Sequence, residues 1–228
     1  SEMGWGRVKN PGDVVKVGQE VEVYVLGADK ETGKISLGLK QLSVNPWEAA
    51  AEKYPEIIFS HATGYLSNNK NFNNYFGRIY QARYLAGIAA GMKLNEMIAA
   101  GQFTAEEAQI GYVGAFPYAE VKSGYTSFFL GVRSVCPTAT MEVQFTGSWY
   151  DEALEKEAAT KLIESNCVLI SQHADSMGAP TACENAGIPN VSYNGSTQAA
   201  CPNTFIVSSR IDWTPYFKHM IECAKNGT

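Results

Sequence analysis

Two rhythms of apolar and polar positions divide the chain. Across residues 19–26 they alternate, with Val21, Val23 and Val25 on one face, and residues 34–40 repeat the pattern with Ile35, Leu37 and Leu39. A period of two marks a half-buried strand. Asp29-Lys30-Glu31-Thr32-Gly33 supplies turn chemistry between the runs, so the pair predicts a β-hairpin. Asn45-Pro46 interrupts the alternation, and residues 47–53 read as a short helix stopped by Pro55.

The rhythm changes after Pro55. Short apolar runs at 56–60, 110–114, 140–145, 167–171 and 190–193 alternate with helical patterns at 72–92, 120–135, 151–165 and 178–186. Such alternation predicts parallel strands joined by right-handed crossovers, an α/β fold. Asp151 stands as an N-cap before Leu154, Ala158, Leu162 and Ile163. Thr104 and Glu107 have capping-box spacing, and the segment 94–109 around them is expected to be a surface insertion. A strand at 204–208 and a helix at 213–224 complete the pattern.

Bulk properties narrow the functional classes. With 45% hydrophobic and 18% charged residues, the 228-residue chain can bury a sizeable core. A net charge of −5 supplies no overall basic field for nucleic acid. No apolar run reaches the length of about eighteen residues that a membrane span needs, and the chain opens Ser-Glu-Met without a signal-peptide pattern. The five cysteines (Cys136, Cys167, Cys183, Cys201, Cys223) form no C-x-x-C pair and read as small buried hydrophobes. His61, His173 and His219 have no neighbours at metal-ligand spacing, so neither a metal nor a cofactor is expected.

In parallel α/β sheets, ligands bind outside the carboxyl ends of the strands. The loops there are His61-Ala62-Thr63-Gly64-Tyr65 with the run Asn71–Arg78, then Ala115-Phe116-Pro117-Tyr118, Thr146–Asp151, Gln172–Ser176 and Asn194–Thr197. Each carries an aromatic ring, an amide or hydroxyl group, or both. That combination suits a flat heterocycle or a sugar. The candidate ligand residues in these loops are Asn73, Phe76, Phe116, Trp149, His173, Asp175 and Asn194. Ser171, His173, Asp175 and Ser176 crowd together, but they lack a G-x-S-x-G elbow and the dispersed spacing of a triad. No G-x-G-x-x-G or Walker loop is present. A binding protein is therefore expected, not an enzyme.

Residues 56–228 resemble the basic membrane protein family of ABC-transporter substrate-binding lipoproteins, which includes purine-nucleoside receptors. The resemblance rests on His61-Ala62-Thr63-Gly64-Tyr65, the run Asn74–Gly87, Ile110–Pro117, Trp149-Tyr150-Asp151, Gln172–Ser176 and Trp213-Thr214-Pro215-Tyr216. It implies two lobes of the periplasmic-binding-protein type I fold with a ligand between them. It also implies an extracytoplasmic, lipid-anchored location and an ABC permease as partner. Under the resemblance Trp149 would stack on a purine base, Asn194 would hydrogen-bond to the ligand, and His173, Asp175 and Trp213 are further cleft candidates. Most of the first lobe has no counterpart in this chain. The division it implies is 56–109 as a remnant of that lobe, 110–205 as the second lobe and 206–228 as a return helix.

Residues 4–55 resemble instead the later strands of the RNA-binding OB-type repeat of the largest small-subunit ribosomal protein. Gly6-Arg7-Val8-Lys9, Val14–Gln19, the run Lys34–Gln41 and Asn45-Pro46-Trp47 carry that likeness. The join is placed in Ala51–Pro55. Seven Lys/Arg against eight acids in the first fifty-five residues give weak attraction for phosphate, so RNA is not the expected partner. Three readings follow: a solute-binding protein favouring purine-like ligands, a translation-associated module, or a chimera without a physiological role.

Overall fold

The computed structural model describes residues 2–6, 8, 10–30 and 33–227. Arg7 and Lys9 of the OB-type likeness, and Glu31 and Thr32 of the predicted turn, lie outside them. The chain forms two compact units, Ser1–Phe76 with Glu222–Thr228, and Gly77–Ile221. This division falls at Phe76/Gly77, whereas the sequence pattern changes after Pro55 and the family resemblance implies further boundaries at 109/110 and 205/206.

In the first unit, strands β1 (Tyr24–Ala28) and β2 (Ile35–Gly38) make an antiparallel pair in which Val25 faces Leu37. Helix α1 (Pro46–Lys53) begins where the Asn45 side chain accepts from Trp47 N–H at 2.9 Å, with proline at N1. Strands β3 (Phe59–Ala62) and β4 (Phe72–Tyr75) pair in parallel. Phe59, Leu66, Phe72 and Ala51 close a small core. The buried Asn71 amide donates to the carbonyls of Ala51, Tyr54 and Ile57, fastening the end of α1 to the start of β4.

Two expectations are corrected here. The first strand after Pro55 starts at Phe59 and not at residue 56, because a turn from Tyr54 O to Ile57 N–H occupies those positions. Residues 72–75 are strand and not the first turn of a helix. Asn68 Oδ1 accepts from the N–H groups of Lys70, Asn71 and Phe72, which shapes a turn leading into β4. Helix α2 (Ile79–Ala99) begins only after Gly77 and Arg78.

The second unit is an all-parallel five-stranded sheet covered on both faces. In chain order after α2 come β5 (Gln109–Gly114), α3 (Ala119–Val135), β6 (Thr140–Phe145), α4 (Glu152–Glu164), β7 (Leu169–His173), α5 (Gly178–Ala186), β8 (Asn190–Tyr193), β9 (Phe205–Ser209) and α6 (Thr214–Asn226). The strand order is β6-β5-β7-β8-β9. Period-two alternation explains the layering. Ile110, Tyr112, Leu169 and Val191 point into one core with Ala86, Ala90, Leu94, Phe128 and Val132 of α2 and α3. Val113 and Ile170 point into the other, with Ala158, Ala159 and Leu162 of α4 and Ala179, Ala182 and Cys183 of α5.

The segment 94–109 is not a surface insertion. Leu94 is fully buried, Met97 is buried and α2 runs on to Ala99. The capping box at Thr104 and Glu107 then turns the chain through a single 3-10 turn, with Ala108 buried at the start of β5. Arg83 is fully buried in the sheet-facing side of α2, and among the described residues no carboxylate pairs with it. Glycine permits the close fit of α2 and α3. A Cβ at Gly87 would stand 2.0 Å from Phe128 O, and one at Gly131 2.1 Å from Tyr84 O.

Candidate functional site

The carboxyl ends of β5, β6, β7 and β8 stand side by side, and main-chain bonds tie the loops that leave them. Ala115 N–H donates to His173 O at 3.1 Å, Gly147 N–H to Ala115 O at 2.8 Å and Asp175 N–H to Trp149 O at 2.8 Å. Gly147 takes the left-handed conformation (φ +73°) that this turn requires. Asn194, also left-handed (φ +60°), donates through its backbone to Ser209 O at 2.9 Å. Gln172 is buried and its amide donates to the carbonyls of Ala174 and Ser176, which folds the β7 loop back over the strand.

These loops carry an aromatic panel. Phe116 and Tyr118 stack at 4.9 Å with an interplanar angle of 11°, and Trp149 leans on both, at 5.7 Å from Phe116 and 6.4 Å from Tyr118. Behind the panel, His173 lies 6.3 Å from Trp149 and 4.2 Å from Tyr193. On the polar side, Asn194 Nδ2 donates to Asp175 Oδ1 at 3.1 Å. The structure therefore brings Phe116, Trp149, His173, Asp175 and Asn194 to one end of one sheet. Their depths differ. Phe116 and Trp149 are half-buried, Asp175 and Asn194 exposed, and His173 wholly enclosed.

Trp213 is half-buried just before α6, on the segment that follows β9. Asn73 and Phe76 belong to the first unit. Asn73 is exposed on β4, opposite Ser60, and Phe76 is exposed immediately after that strand.

The charges at this end are mainly acidic. Burial raises the Glu120 carboxyl, and the nearby Asp175 charge adds to the effect. Although Asp175 is exposed as a residue, desolvation of its carboxyl raises it too, with the Asn194 hydrogen bond pulling the other way. Tyr193 is raised first by burial, then by the charges of Glu120 and Asp175. His173 is pushed down to about 3, first by burial and then by the Arg83 charge. It is neutral at physiological pH, and among the described residues neither of its ring nitrogens has a hydrogen-bond partner. Among the described residues, no group of three metal-ligating side chains is present.

Tyr118, Glu120 and Tyr193 are part of this arrangement but are absent from the candidates read from the sequence. Tyr118 was within reach, two residues beyond Phe116 in the same loop. Glu120 and Tyr193 fall inside predicted elements, and nothing local marks which way their side chains turn.

Sequence comparison bears on both parts of the chain. Residues 44–228 match the profile of the PnrA-like ABC transporter substrate-binding protein family, and residues 1–40 match the S1 RNA-binding domain. A putative ABC transporter glucose-binding protein of Haloferax volcanii is 38% identical over 184 residues, 81% of this chain and 44% of the relative. A purine-binding protein of Brucella abortus is 31% identical over 185 residues, 81% of this chain and 49% of the relative. The chain thus spans about half the length of these relatives. The small ribosomal subunit protein bS1 of Pseudomonas aeruginosa is 48% identical over 56 residues, 25% of this chain and 10% of the relative.

An ABC transporter solute-binding protein of Aeropyrum pernix superposes with a TM-score of 0.67 at 19% identity, covering 80% of this chain and 52% of that one. The fold is accordingly that of periplasmic-binding-protein type I lobes, preceded by a small β segment in the S1 region. With a family match that covers most of its residues and two relatives above 30% identity, the chain belongs to the PnrA-like family of ABC transporter substrate-binding proteins.

Proposed function

We propose that the second unit presents the binding face of an extracytoplasmic ABC-transporter receptor, whose solute is a neutral, ring-bearing molecule handed to a permease. A purine nucleoside or nucleobase is favoured over a sugar. The observation that carries this reading is the aromatic panel Phe116-Tyr118-Trp149 standing beside the Asp175–Asn194 pair. Flat π-surface takes a base by stacking, and a carboxylate with an amide takes hydroxyl or ring N–H donors. Glu120 and Asp175 repel phosphate, which argues for nucleosides and bases over nucleotides. His173 backs the panel and does not touch the solute, because its ring is enclosed. Asn73 and Phe76 are carried as candidates by the strand-end loop in which they lie, and Trp213 by the family resemblance alone.

The named relatives are described as binding different solutes, glucose in one case and purine in the other. Calorimetric titration with adenosine, guanosine, adenine and glucose separates these. Saturable heat with a purine that falls roughly tenfold or more in Trp149→Ala supports the reading, since stacking on one aromatic ring is worth about 1–3 kcal/mol. Heat with glucose alone replaces the purine by a sugar. No heat with any of the four overturns the binding assignment for this chain.

A second reading attaches to residues 1–40, which match the S1 RNA-binding domain. Titration of a labelled single-stranded RNA tests it. Salt-sensitive binding lost on deleting residues 1–40 would favour it.

A further inference from the structure

We propose that Arg83 is a positioning residue, whose buried guanidinium holds the tip of β8 against the tip of β7 and so sets the spacing of the solute-facing groups. The inference rests on the binding reading above for its consequence, though not for its geometry.

Arg83 is 0% exposed, and among the described residues no carboxylate pairs with it. Burying an unpaired cation is costly, and a Leu or Met would fill the same space without that cost. What an apolar side chain lacks is reach to several hydrogen-bond acceptors. Arg83 Nη2 donates to Ser171 Oγ at 2.5 Å and to Tyr112 Oη at 3.0 Å, and Nη1 donates to Ser192 O at 3.4 Å. The rings of Tyr112 and Phe128 flank its charge at 5.2 and 4.9 Å. One side chain from α2 thus binds three strands, β5, β7 and β8.

Its position matters because of where the sheet ladder stops. β7 and β8 are paired only at Ile170/Asn190 and Ser171/Val191. Beyond that point come His173 and Asp175 on one strand and Tyr193 and Asn194 on the other. β5 and β7, by contrast, stay paired through Gly114/His173. Arg83 spans the gap at the last paired level, from Ser171 on β7 to Ser192 on β8, and Ser171 Oγ donates onward to Val191 O at 2.9 Å. The His173–Tyr193 ring contact crosses the same gap two residues beyond Ser171 and Val191, and the Asp175–Asn194 hydrogen bond crosses it further out. Without the tie, β8's tip is held on this side by those two contacts and on the other by β9.

Ligand-free NMR of the full chain tests this, following the Asn194 side-chain amide and the Tyr193 ring in wild type, Arg83→Met and Arg83→Lys. Leu94→Ala, in the same core but far from the strand tips in sequence, controls for general loosening. The expected result is displaced or broadened Asn194 and Tyr193 signals in both Arg83 variants and unmoved signals in Leu94→Ala at a comparable loss of melting temperature. Whichever of adenosine, guanosine, adenine or glucose the wild type binds should bind at least tenfold more weakly to Arg83→Met. Unchanged Asn194 and Tyr193 signals in the Arg83 variants, or equal displacement in Leu94→Ala, overturn the proposal. If neither Arg83 variant folds, Ser171→Ala, which keeps the guanidinium and removes its β7 tie, decides by the same signals. A wild type that binds none of the four probes defeats the binding reading, while the ligand-free spectra still decide the role of Arg83.

Discussion

The ring of His173 lies 4.2 Å from that of Tyr193 at an interplanar angle of 33°, fully enclosed, and among the described residues neither imidazole nitrogen has a hydrogen-bond partner. A buried polar ring left unsatisfied costs stability, and here the cost is limited by keeping the ring neutral. Its pKa falls from 6.5 to about 3. Unfolded protein takes up a proton on this residue below 6.5 and folded protein does not. The stability it contributes is present above 6.5 and is lost as pH drops from there towards 3. Each unit of that gap is worth about 1.4 kcal/mol. His173→Phe should therefore flatten the decline in urea midpoint between pH 6.5 and 4.5. It should also leave solute affinity nearly unchanged, since the ring backs the panel. Equal acid sensitivity in variant and wild type would show that the ring is protonated in place.

Gly124 on α3 makes room for that ring. A Cβ there would stand 2.5 Å from His173 Nδ1 and 2.9 Å from its Cε1. Both sides of the contact are buried, so the imidazole has little space in which to retreat. Gly124→Ala should cost about 1–3 kcal/mol, as overpacking of a filled core does, despite the better helix propensity of alanine. Chemical denaturation measures it. The double variant Gly124→Ala/His173→Ala should recover part of the loss, and if it recovers none the clash is elsewhere.

How much of this was legible in the sequence depends on whether local chemistry or tertiary packing set the feature. β6, β8 and α5 lie at the residues predicted for them, because apolar runs bounded by Gly, Pro and Asn leave few alternatives. Asp151 caps α4 as its side chain dictates, accepting from Leu154 N–H at 2.9 Å. The hairpin at β1 and β2 was legible in its alternation, but β1 starts only at Tyr24, so Val21 and Val23 lie before the strand, and its residues are exposed and not half-buried. The start of α2 was misleading because Phe72 and Ile79 fit one apolar stripe, while the turn built by Asn68 is a side-chain effect that no periodicity records. Arg83 was harder still. Its neighbours Ile79, Ala86, Gly87 and Ala90 on the stripe place it facing the sheet, but only the packed structure supplies Tyr112 and Ser171 to receive it. The strand tips were legible as polar and aromatic. Which of their residues point outward and which, like His173, fold underneath was not.

Glu155 gives the opposite pH dependence. It is fully buried on α4, where its carboxylate accepts from the N–H groups of Ser176, at 3.2 Å, and Asp151, at 3.3 Å. Burial nonetheless outweighs these bonds and raises its pKa above 4.5. The folded protein holds the proton more tightly than the unfolded one. Its contribution is present below 4.5 and is lost as pH rises through the folded value. Glu155→Gln keeps an acceptor for both N–H groups and removes the charge, so the variant should gain on wild type as pH increases from 4.5 to 7. Glu155→Ala strands the two donors and should lose about 1–3 kcal/mol at all pH values. Urea midpoints at the two pH values decide. A constant difference between Gln variant and wild type would mean that the carboxylate does not titrate differently on folding.

Val25 and Leu37, partners across β1 and β2, are 58% and 47% exposed, and Ile35 is 62% exposed. The two strands form a sheet of their own, so each also has an unpaired outer edge within it. Apolar side chains on a short ribbon with open edges are a template for pairing with another copy. The full chain should therefore sediment faster at near-millimolar than at low micromolar concentration. Val25→Lys with Leu37→Glu keeps a favourable cross-strand pair while removing the apolar surface, and should return the protein to a single slow species. Because the pair is exposed, the double variant should melt within a few degrees of wild type and bind solute as wild type does. Concentration-independent sedimentation of the wild type would rule out this association, and association that survives the substitutions would place the contact on another surface.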